Sequence, residues 1–113
     1  MNREYKLYLD DILISCNNIE KYVEYKTFDE FNNDDILKDA VVRRFEIIGE
    51  AVKNIPDYVR TKYSELNWKS LAGLRDKLIH GYFGVDYYLV WDTIKIDIPC
   101  IKLTVMKILD ELK

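Results

Sequence analysis

The chain has 113 residues, enough for one buried core and too few for two, and its 49% hydrophobic and 33% charged composition excludes a disordered segment. A net charge of −3 excludes the strongly basic balance of an electrostatic nucleic-acid binder, yet Arg43 to Lys77 holds eight basic against five acidic side chains. No run approaches the about 18 apolar residues of a membrane span, and the opening Met-Asn-Arg-Glu-Tyr-Lys has no apolar signal region, so a cytoplasmic protein is expected.

From about Arg3 to Tyr25, Leu9, Ile12, Cys16, Ile19 and Val23 recur at spacings of three and four, which predicts a helix with one apolar stripe. Lys26 to Asp35 reads as a polar link, with Asn32-Asn33 as turn formers, Asp34 or Asp35 as the next N-cap, and Phe28 and Phe31 pinning it to the core. Its acids lack the spacing and the glycine of a calcium loop. A second helix is predicted from about Asp35 to Asn54, with Leu37, Val41, Phe45, Ile48, Val52 and Ile55 inward. Arg43, Ile47 and Glu50 occupy a neighbouring stripe. Glu50 either pairs with a buried arginine or helps to position Arg75 or His80. Ile48-Gly49-Glu50-Ala51 is small enough for another helix to approach closely. A short helix from about Asp57 to Leu66, capped by Asp57, follows Pro56.

After a turn at Asn67, Trp68, Leu71, Leu74 and Leu78 give the next helix its inward stripe, and this helix carries the most reactive stretch of the chain, Arg75-Asp76-Lys77-Leu78-Ile79-His80-Gly81-Tyr82. His80 is the only histidine. In a helix of about 100° per residue, Asp76 and His80 are i, i+4 neighbours, so the carboxylate can hold a ring nitrogen. The Arg75 guanidinium can swing toward the imidazole, where both could grip one phosphate. Gly81 is a natural helix terminator, which puts Tyr82 just past the end on a freer backbone. Asp86 is the next N-cap, and Tyr87, Trp91, Ile94, Ile98, Ile101, Val105, Ile108 and Leu112 then form a heptad-like seam. Pro99 interrupts that seam and predicts a kink or a two-part helix. Cys16 and Cys100 have no partner at metal-ligand spacing and are expected as small buried residues; no metal or cofactor is expected. The predicted fold is all-α: a single domain spanning 1–113, an antiparallel bundle of four long helices plus one short helix, the last kinked near Pro99.

The order Arg75, a polar residue, three more, His80, any residue, Tyr82 resembles the signature of the HEPN superfamily, in particular its HepT-like ribonuclease toxins. Phe45 to Pro56, Leu71 to Asp86 and Val90 to Pro99 resemble that family's helices in the same order, so the likeness covers most of the chain from about Asp35 onward. The polar residue after the arginine is often Asn in such proteins and is Asp76 here. The resemblance implies the toxin component of a type II toxin-antitoxin system, an endoribonuclease acting as a homodimer with a shared site. It also implies a partner, a minimal nucleotidyltransferase antitoxin that attaches AMP to the tyrosine of the motif, here Tyr82.

Metal-independent RNA cleavage needs a base for the 2′-hydroxyl, an acid for the leaving 5′-oxygen, and positive charge on the phosphorane oxygens. One histidine per chain leaves a monomer short of one proton-transfer group. A two-fold dimer supplies His80 twice and Arg75 twice, with Asp76 and Glu50 as supporting residues. The alternatives are a non-catalytic helical partner of a nucleotidyltransferase that binds nucleotide or RNA, and a structural helical dimer in which the motif is packing.

Overall fold

The computed structural model describes residues 4–79 and 84–113. These form an all-α bundle whose elements are, in order, α1 (Tyr5–Val23), α2 (Phe28–Asn32), α3 (Asp35–Lys53), α4 (Asp57–Lys62), α5 (Trp68–Ala72), α6 (Leu74–Leu78) and α7 (Tyr87–Glu111). Helix α1 is the centre of the packing and lies against both α3 and α7, while α5 and α6 rest on α3. Leu9, Ile12, Cys16 and Ile19 of α1 are fully buried, as are Val41, Ile48 and Val52 of α3 and Val90, Ile98 and Val105 of α7. Burying each such side chain stabilises the fold by about 1.5–3 kcal/mol. The Lys102–Glu20 pair at 2.8 Å ties α7 to α1 at the rim of this core.

The α7 seam is buried as its spacing predicts, from Ile94 through Ile98, Ile101 and Val105 to Ile108. The helix is one piece through Pro99 and not two. Pro99 is exposed, so the Lys95 carbonyl that loses its helical donor is on the side where water can satisfy it. Cys100, expected inside, is exposed. It sits about 100° round the helix from the buried Ile101, which takes it off the seam.

Two short elements ahead of the motif helix differ from the sequence expectation. The link before α3 contains α2, stabilised by a capping box in which Thr27 Oγ1 accepts from the Glu30 amide and Glu30 Oε1 accepts from the Thr27 amide. Phe31 is fully buried and Phe28 stacks on Tyr88 with ring centroids 4.5 Å apart, so both do pin this segment. Helix α4 ends at Lys62 and begins after Pro56 without a side-chain cap from Asp57. From it, Arg60 donates through Nε to the Ile55 carbonyl at 2.9 Å and through Nη2 to the Val52 carbonyl at 2.6 Å, which closes the C-terminal end of α3.

The predicted motif helix arrives as two pieces, so the long helices among the described residues are α1, α3 and α7. Asn67 caps α5 by accepting from the Ser70 amide, and Gly73 then leaves helical geometry at φ −92°, ψ 11°. The backbone recovers at once, with the Gly73 carbonyl accepting from the Lys77 amide at 3.0 Å. Glycine's weak hold on helical dihedrals accounts for the break occurring there.

Candidate active site

Helix α6 stops at Leu78, and Ile79 is already extended at φ −111°, ψ 112°. The predicted pairing of Asp76 with His80 involves a residue outside the described ones. Ile79 makes an isolated antiparallel bridge with Val85, and the Asp86 amide donates to the Leu78 carbonyl at 3.0 Å. Those contacts bring the end of α6 and the start of α7 together. His80, Gly81 and Tyr82 lie outside the described residues.

Arg75 is described, and its side chain is 60% exposed. Its Nε donates to Glu46 Oε2 at 3.4 Å, the long end of hydrogen-bonding range, and the Glu46 carboxylate is 30% exposed. Glu50, the acid singled out from the sequence, instead accepts from Lys53 Nζ at 3.2 Å and stands 70% exposed. Asp76 is exposed on α6 beside Arg75. The arrangement thus brings Arg75 and Glu46 together and leaves Glu50 one turn further along α3.

The signal for Glu46 was present in the helix geometry. Gly49 is buried, and a Cβ built on it would stand 3.5 Å from the Leu71 carbonyl oxygen and 3.7 Å from that of Ala72. That is the close approach expected from the small residues at 48–51. Glu46 and Glu50 lie on the same flank of α3, about 60° and 100° round from Gly49, and Glu46 is the one a turn nearer the start of the helix. The next turn of chain after Ala72 carries Arg75 over Glu46.

Chemically, this flank presents a fixed cation on an open surface. Among the described residues no group of three or more His, Cys, Asp or Glu side chains is placed to hold a metal ion. A cavity of about 470 Å³ between α1 and α7 is lined by Leu13, Met106 and Leu109 among others and contains none of the Arg75 flank. An open edge with an exposed guanidinium suits an extended anion better than a small enclosed ligand.

The model of the family described as "Ribonuclease HepT-like" matches residues 12–108. The chain belongs to the HepT-like ribonuclease family. Among its HepT-like relatives, "Putative RNase MJ0125" of Methanocaldococcus jannaschii is 48% identical over 111 residues, covering 98% of this chain and 96% of that protein. "Probable ribonuclease HepT" of Thermococcus cleftensis is 45% identical over 102 residues, covering 90% of this chain and 93% of the relative. A third relative, "Gamma-glutamylcyclotransferase and putative RNase MJ0434" of M. jannaschii, is 49% identical over 112 residues; the HepT-like chain covers 50% of its length. No solved structure gives a significant match. No helix among the described residues is long and apolar enough to cross a membrane.

Proposed function

We propose that this HepT-like chain is a metal-independent endoribonuclease, the toxin of a toxin-antitoxin pair, acting in the cytoplasm as a homodimer with a composite site. The observation that carries the reading is the exposed guanidinium of Arg75, presented on α6 just before His80 in a chain of a ribonuclease family. Arg75 binds the scissile phosphate and stabilises the charge that builds on its oxygens as the 2′-oxygen attacks. One His80 takes the 2′-hydroxyl proton. The second His80, from the other protomer, gives a proton to the leaving 5′-oxygen, and the upstream fragment ends in a 2′,3′-cyclic phosphate. Asp76 and Glu50 act as supporting acids around this centre and do not exchange protons with RNA.

Tyr82 is the regulatory handle. An unperturbed phenol has a pKa near 10, too high to compete with a histidine as base at neutral pH. The antitoxin, a minimal nucleotidyltransferase, joins the Tyr82 oxygen to the α-phosphorus of ATP and releases pyrophosphate. The attached AMP places phosphate charge where the RNA phosphate would bind.

Purified His80→Ala and Arg75→Ala should each lose about 10²–10⁴ in RNA cleavage with unchanged helicity, the range for groups acting in the transition state. Tyr82→Phe should keep cleaving RNA and gain no AMP mass from the nucleotidyltransferase and ATP. Full activity in His80→Ala contradicts the catalytic assignment, and a persisting mass increment in Tyr82→Phe contradicts the acceptor.

A further inference from the structure

We infer that Glu46 is the positioning residue for Arg75, an inference that rests on the catalytic reading of Arg75 given above. The carboxylate reaches Arg75 from another helix, 29 positions away in the chain, and engages Nε. A guanidinium held at Nε still presents its outer Nη1–Nη2 edge, the fork that grips two phosphate oxygens in plane. An arginine on a five-residue helix would otherwise sweep through many rotamers. Glu46 sits on the 19-residue helix α3, at the edge of its packed face beside the fully buried Phe45 and Ile48, so it is the rigid end of the pair.

Stability does not explain the contact. Exposed ion pairs contribute little to folding, and this one is long and 60% exposed on the arginine side. Its consequence is geometric: the cation is aimed before substrate arrives, and the carboxylate's own charge lowers the attraction for RNA at the same spot. The two effects separate by substitution. Gln keeps an oxygen acceptor at the same reach and removes the charge. Ala removes both.

The test is steady-state RNA cleavage by purified wild type, Glu46→Gln and Glu46→Ala, together with the 15N order parameter of the Arg75 Nε–H bond. Glu46→Ala should lower kcat by about tenfold or more, since small misplacements of a reacting group have effects of up to about 10²-fold. Glu46→Gln should keep kcat within about threefold and lower KM for RNA, because the removed charge acts on binding in ground and transition states alike. The order parameter should stay high in Gln and fall in Ala. Equal loss of kcat in Gln and Ala would overturn the inference, because Glu46 would then be moving a proton itself. Wild-type kcat in Ala would overturn it too. If wild type cleaves no RNA, the ribonuclease reading fails, and the order parameter alone decides the positioning: an unchanged value in Ala refutes it, and a fall confined to Ala upholds it.

Discussion

Cys16 and Cys100 carry the same side chain into opposite surroundings. Cys16 is fully buried on α1, and burial, with Glu20 adding to it against Lys102, pushes its thiol up from 9.0 to about 12. Tyr63 moves the same way, from 10.0 to about 12, chiefly because its hydroxyl donates to Glu111. Both groups keep their protons to higher pH when folded than when unfolded. The stability they contribute is therefore fully present below about pH 9 and is lost as pH rises through about 12. Urea midpoints should fall steadily above pH 9, and a thiol reagent at pH 8 should label Cys100 in the native protein and Cys16 only after unfolding. Equal labelling rates for the two thiols would contradict the burial of Cys16.

Gly49 sets how α5 and α6 meet α3, and so where Arg75 stands. A methyl group there would make ordinary contact with the Leu71 carbonyl at 3.5 Å, so Gly49→Ala should fold and cleave like wild type, with up to about 1 kcal/mol of added stability from helix propensity. Gly49→Val adds atoms against the α5 backbone. It should cost about 1–3 kcal/mol in urea unfolding and lower RNA cleavage by moving Arg75 off Glu46. Wild-type stability and activity in Gly49→Val would contradict this account of the packing. The long elements were legible in the sequence because their apolar spacing outlasts local noise: the α1 and α7 stripes are buried where the pattern places them. The short ones were not. Five residues of α2 hold little more than one turn of pattern, although Thr27 and Glu30 stand at capping-box spacing. At α6 the extended Ile79 goes with its bridge to Val85, which local periodicity does not record. Glu50 stands out in the sequence ahead of Glu46 because the two share one flank of α3, and periodicity does not say at which turn Arg75 meets it.

The molecule as a whole presents its proposed chemistry on an open surface of modest charge. A net charge of −3 gives RNA no long-range attraction, so in the proposed reaction its phosphate is held by a few cations such as Arg75. One histidine per chain then asks for a second copy to complete acid and base. The proposed mechanism calls for no metal, because histidine alone can serve both proton transfers near neutral pH. The most direct measurement is incubation of the purified protein with RNA in excess chelator, followed by analysis of the fragment ends. Undiminished cleavage is expected, with upstream fragments ending in 2′,3′-cyclic phosphate. Cleavage that stops with chelator, or fragments that carry only 3′-hydroxyl ends, would contradict it.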